Sequence, residues 1–163
     1  MKQKFFNLLL GAALVAVLFS CSDDDKKSSN SVTIDGKKYT FEDDGSFWTY
    51  QDGDLYFFEG SVYGISGNQF ADVSFEVASE NDGDGGLPVG NYTYADETLN
   101  DFDIEVYDDE FNTIAEYYDV KSGNLEITKS GDTYTVTFNI TFETDEGDVT
   151  IKGTYKGTFE ELS

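Results

Sequence analysis

The groups available for chemistry in this 163-residue chain are 33 acidic residues, ten lysines and eleven tyrosines, with no histidine, no arginine and one cysteine, Cys21. Without imidazole there is no Ser-His-Asp triad, no histidine metal ligand and no histidine pH switch. Cys21 lies outside the region with strand patterning, so no thiol nucleophile remains there. Paired carboxylates still allow glycoside hydrolysis in principle, but that chemistry uses a deep sugar cleft. A folded region of about 130 residues is short for one. The reading is therefore not an enzyme, with a small carboxylate-based hydrolase the least favoured function.

Three constellations remain. Phe47, Trp48, Tyr50, Tyr56, Phe57 and Phe58 crowd two neighbouring stretches, and adjacent residues of a strand point to opposite faces. With Phe47 and Phe57 inward, the rings of Trp48, Tyr50, Tyr56 and Phe58 line the outer face. Trp48, Tyr50 and Tyr56 are then a candidate ligand platform for stacking sugars or an apolar partner. Asp82-Gly83-Asp84 sets two carboxylates on a turn, the kind of oxygen donors a structural calcium takes. The spacing is not that of a helical calcium loop. A second acidic cluster, Asn100-Asp101 with Asp103, has no assignable role without distances, and Tyr117-Tyr118 between Glu116 and Asp119 reads as a strand edge.

Cys21 follows a basic start (Lys2, Lys4), an apolar run from Leu8 to Phe19 and the small residue Ser20, the layout of a secretory signal. Fifteen residues from Phe5 to Phe19 fall short of the roughly 20 needed to span a bilayer. Leu18-Phe19-Ser20-Cys21 resembles the lipobox of bacterial lipoproteins, which implies thioether lipidation of Cys21 and cleavage before it. Phe19 stands where the family has a small residue. Each buried acyl methylene contributes about 0.8 kcal/mol, and two or more chains make a stable membrane anchor. Ser22-Asp23-Asp24-Asp25-Lys26-Lys27 resembles the acidic export signal of surface lipoproteins of Gram-negative bacteria. The resemblances imply residues 1–20 as signal peptide, 21–31 as lipidated tether and an outer-membrane, surface-exposed location, with a periplasm-facing one as the alternative. The ten residues from Ser22 to Ser31 reach about 17 Å as a random coil.

Removing a leader that contains Lys2 and Lys4 leaves eight lysines against 33 acidic residues, a net charge of −25. Such a surface repels nucleic acid, whose binding rests on basic residues neutralising phosphates. It also lacks the basic clusters that anionic lipid surfaces need. The partners left are the membrane through the acyl chains, and a glycan or an envelope protein.

The elements that would position these groups are strands. Asp35-Gly36 between Val32–Ile34 and Lys37–Phe41 predicts a hairpin. A second hairpin is predicted around Asp52-Gly53-Asp54, between Ser46–Gln51 and Leu55–Tyr63. Gln69–Ala78 is a further strand, with a parity slip near Ala71 that suggests a bulge. The 79–88 loop holds the one proline, and Gly90–Tyr94, Asp101–Tyr107 and Asn112–Val120 follow as strands. Tyr134, Val136, Phe138, Ile140 and Phe142 alternate with polar residues, a strong strand signal, and with the stretches around Leu125–Ile127 and Val149–Phe159 predict an antiparallel meander. No window after the leader has a helical period. The fold class is all-β for residues 32–162, read as an antiparallel two-sheet sandwich of nine to ten strands, with a closed up-and-down, lipocalin-like barrel as the alternative.

Leu87-Pro88-Val89-Gly90-Asn91-Tyr92, Ser122-Gly123-Asn124-Leu125-Glu126-Ile127 and Gly153-Thr154-Tyr155-Lys156-Gly157 resemble a recurrent uncharacterised all-β domain of Gram-negative surface lipoproteins. That likeness covers the second half of the chain and implies no functional residues. The function expected is a non-catalytic surface module binding glycan or protein, with a structural or assembly subunit of an envelope complex as the alternative. The anchor is directly testable. Cys21→Ser should leave an uncleaved or soluble precursor that takes up no palmitate analogue, and an unlabelled wild-type protein would refute the lipoprotein reading.

Overall fold

The protein is described by a computed structural model covering residues 30–162; the expected signal peptide, the expected lipidation site Cys21 and the expected export signal at residues 22–25 lie outside the described residues. Asp35 and Gly36 both take positive φ, 49° and 75°, the geometry of a two-residue hairpin turn. They join β1 (Ser31–Ile34) to β2 (Lys37–Phe41). Gly53 and Gly67, also at positive φ, turn β3 (Asp44–Asp52) into β4 (Leu55–Ser66) and β4 into β5 (Gln69–Ser79). After the proline-bearing loop come β6 (Gly90–Thr93), β7 (Leu99–Tyr107) and β8 (Thr113–Tyr117). The expected meander follows as β9 (Val120–Ser130), β10 (Thr133–Thr144) and β11 (Gly147–Glu161), antiparallel throughout. The stretch 112–120, expected as one strand, is divided between β8 and the start of β9.

All eleven strands of the described residues belong to one sheet, in the order β6-β9-β10-β11-β1-β2-β4-β5-β7-β8, with β3 bridging β11 and β4. The ring β11–β1–β2–β4–β3–β11 closes, so the fold is all-β with a five-strand barrel and further strands on both sides. This corrects the preference for a two-sheet sandwich in favour of the barrel. The physical reason is a change of partner in the middle of one chain segment. β2 and β3 run along the same edge of β4, but between Phe41↔Gly64 and Ser46↔Ser61 the β2–β3 side takes five steps where β4 takes three. At that bulge the segment leaves β1 and joins β11 in parallel, Thr158↔Asp44 to Glu161↔Phe47. A strand bent in this way turns what would be two sheets into one.

The junction is held by backbone. The Asp43 carbonyl accepts the Thr158 N–H at 2.8 Å, and the Tyr155 hydroxyl lies 3.0 Å from the same oxygen. Gly157 sits between them: a Cβ there would fall 2.0 Å from Asp43 O. The interior is filled by rings, with Phe58, Phe75, Phe102, Phe138, Phe142 and Tyr155 fully buried in one cluster. Phe102 of β7 packs on Phe138 of β10 at 5.1 Å, so the strands flanking the ring fold toward each other over the same core.

Gly157→Ala should therefore act at the closure. Pushing a methyl group into backbone rather than into a movable side chain is expected to cost about 3 kcal/mol, read as a lowered urea midpoint. A midpoint unchanged from wild type would mean that the ring does not depend on this approach.

Candidate functional site

Alternation fixes which side chains the sheet turns outward. On β4, Phe58, Gly60, Val62 and Gly64 face the core and Phe57, Glu59, Ser61, Tyr63 and Ile65 face away; on β5, Ala71, Val73, Phe75 and Val77 are buried. Gly60 and Gly64 have no side chain because Phe75 and Tyr39 with Phe41 occupy the space. The inward rings are thus Phe47, Phe58 and, partly buried against the core, Tyr56. This corrects two expectations: Tyr56 and Phe58 do not join the outer face, and Phe57 does. The slip near Ala71 is no bulge either. Phe70 simply faces outward and stacks on Phe111 at 5.8 Å, while the irregularity lies between Glu76 and Val77.

Trp48 and Tyr50 are on the outer face as expected, 48% and 45% exposed. Tyr50 stacks with Phe57, its cross-strand partner, at 5.0 Å and 10° between ring planes. The Tyr50 hydroxyl donates to Glu76 at 2.9 Å, and the Trp48 side chain hydrogen-bonds Glu59. Partial desolvation, then the bond to Glu76, pushes the Tyr50 hydroxyl up to about 12. On β7 the irregular register leaves both Asn100 and Asp101 exposed between buried Leu99 and Phe102, and Asn100 reaches Glu76 with its amide. Bulges re-aim side chains in this way.

Beside the rings the same face becomes acidic. Glu59, Glu76 and Asp101 stand opposite one another across β4, β5 and β7; one row on are Ser61, Ser74 and Asp103, and beyond them Tyr63, Asp72 and Glu105. Strand neighbours are about 4.8 Å apart, and like charges directly opposite destabilise a sheet. None of the strands β3, β4, β5 and β7 has a lysine. The carboxylates are met by neutral donors instead: Ser61 gives its hydroxyl to Asp72 at 2.7 Å, and Tyr107 gives its own to Glu105. Burial, followed by the charges of Asp101, Asp72, Glu105 and Glu59, pushes Asp103 up to about 7. Asp72 and Glu59 are raised too, chiefly by burial. The sequence held Asp101 and Asp103 as an unassigned cluster; the signal it lacked was the register that sets them against β5 and β4.

The other candidates lie elsewhere. Asp82 and Asp84 are exposed on the 79–88 loop, where the Asp82 carboxylate accepts the Asp84 N–H at 3.1 Å. Among the described residues no group of three or more Asp, Glu, Cys or His is arranged to hold a metal ion. Tyr117 ends β8, the last strand of the sheet order, and Tyr118 follows it in the link to β9. With Glu116, Glu143 and Asp148 they line an open cleft of about 1080 Å³, in which Tyr117 donates to Asp35 at 2.8 Å.

Asp103 makes the face pH-sensitive. An unfolded aspartate titrates near 4, so between about pH 4 and pH 7 only the folded state holds the proton, and stability falls as pH rises through that window. Asp103→Asn should stabilise the protein at pH 8 by about 1 kcal/mol, allowing for solvent screening. The gain should shrink as pH falls below 7 and nearly vanish at about pH 4, where the unfolded aspartate is protonated too. Urea midpoints of both proteins at the two pH values check this, and an equal gap at both would exclude Asp103 as the titrating group. Comparison of the chain with protein-family models, with curated proteins and with solved structures finds no match.

Proposed function

We propose that this chain is a lipid-anchored protein of the outer membrane surface whose β domain is a non-catalytic carbohydrate-binding module, using the outer face of β3, β4, β5 and β7. The single observation that carries the reading is the exposed Trp48 beside the stacked Tyr50–Phe57 pair, with Glu59, Glu76 and Asn100 next to the rings. A sugar ring has an apolar C–H face and a rim of hydroxyls. It is matched by flat aromatic surface together with a few fixed carboxylate and amide groups. An open face with these groups can hold an oligosaccharide without the enclosure that a hydrolase needs to distort and protonate it.

Trp48 is the one tryptophan, so its fluorescence reports on the face alone. Its emission should be red-shifted in the free protein and should move when a saccharide identified on a glycan array is added. Trp48→Ala should weaken that saccharide by about 1 kcal/mol, several-fold in Kd, with an unchanged far-ultraviolet circular dichroism spectrum. A blue-shifted Trp48 protected from quenchers would defeat the reading, because a sealed ring cannot meet a ligand.

A further inference from the structure

The charge of the proposed ligand follows from what surrounds the rings. Six carboxylates, those of Glu59, Asp72, Glu76, Asp101, Asp103 and Glu105, share the outer face of three adjoining strands that have no lysine. Their hydrogen-bond partners on the face, Trp48, Tyr50, Ser61, Tyr63, Asn100 and Tyr107, are all neutral. These contacts satisfy oxygen lone pairs and bring no positive charge to the face, which stays acidic even with Asp103 partly protonated near neutral pH.

Rings lie on both sides of this acidic strip. Trp48, Tyr50 and Phe57 stand at one end, and Tyr63, Phe70 and the 75% exposed Phe111 at the other. From the row of Glu59 to that of Tyr63 the strip runs about 13 Å along β4. A neutral oligosaccharide covering it would offer these carboxylates hydroxyl donors but no opposing charge, so their lost hydration is only partly made good, and a uronic or sulfated one would be repelled. An extended peptide could not pair with backbone here, because β4 and β5 spend their backbone groups on strands to either side. Recognition has to run through side chains.

We infer that the ligand class of this face is a glycan bearing free amino groups, its ring faces stacked on the aromatic ends and its ammonium groups set among Glu59, Glu76, Asp101 and their neighbours. The inference rests on the carbohydrate reading above and deepens it. Charge pairing supplies what the neutral donors do not, and the rings separate such a glycan from a simple polyamine, which has no face to stack.

The test is calorimetric titration of the full chain in nonionic detergent with three probes: a glucosamine oligosaccharide, the N-acetylglucosamine oligosaccharide of the same length, and a polylysine peptide. The amino sugar should bind at least tenfold more tightly than its acetylated counterpart. Trp48→Ala and the pair Glu76→Gln with Asp101→Asn should each weaken it several-fold. Neutralising Asp145 and Glu146, on the β10–β11 turn, should leave its affinity unchanged. Circular dichroism of each variant confirms the fold.

Equal affinity for both saccharides would overturn the amino-sugar inference while leaving the carbohydrate reading in place. If neither saccharide binds, the carbohydrate reading falls with it. Polylysine binding as tightly, with the same dependence on Trp48 and Glu76, would assign the face to a basic protein. Loss of affinity on changing Asp145 and Glu146 equal to that on changing the face would reduce the effect to overall charge.

Discussion

The contact between the Asp43 carbonyl and β11 is the constraint on which the rest of the structure depends. At that point the β2–β3 segment bulges, exchanges one partner strand for another, and passes so close to Gly157 that no side chain fits between them. Tyr155 and Phe159, from the same stretch of β11, bring their rings together at 5.0 Å beneath the crossing, and Phe159 meets Phe75 of β5 edge-on at 6.3 Å. Backbone closure and core packing are therefore one event. The outer face of β3 and β4 is positioned by it, because β3 reaches β4 only along this route.

Natural sheets avoid carboxylates in central strands, where β-propensity and cross-strand repulsion both act against them. Here β4, β5 and β7 place theirs in facing rows, with β-branched and aromatic residues immediately beneath on the buried side. The inward half of each strand follows every rule of packing, and the outward half breaks the rule for charge. Places where a sequence violates a local preference without a structural gain are where function is to be sought. The rings are a second departure, since large aromatic surface is left in water although the core accepts rings freely.

Much of this was legible in the sequence. The hairpin turns at Asp35-Gly36 and Gly53, the meander and the exposure of Trp48 and Tyr50 follow from turn chemistry and alternation alone. The side on which Tyr56 lies is not legible locally, because Leu55-Tyr56-Phe57-Phe58 is a run of large hydrophobic side chains without alternation. The parity was set further on: Glu59, Ser61 and Tyr63 alternate with Gly60, Val62 and Gly64, which puts Phe57 outward. Glycines on the buried side hid that signal, since an empty position looks neither apolar nor polar until the ring that fills it is known. The acidic rows and the barrel closure depend on register between distant segments, and nothing local encodes which strand β3 will join.

The five-strand ring joins residues near the start of the described region to its last strand. Asp44 to Phe47 have their parallel partners at Thr158 to Glu161, and β1 borders β11 at Thr154 and Gly153. Pairings so distant in sequence form slowly, because loop-closure entropy is spent before the contacts return it. As the chain emerges from the ribosome, β3 therefore waits without its partner until β11 arrives. Synthesis and folding are thereby separated in time, and the barrel is a state that the chain reaches only once β11 is in place.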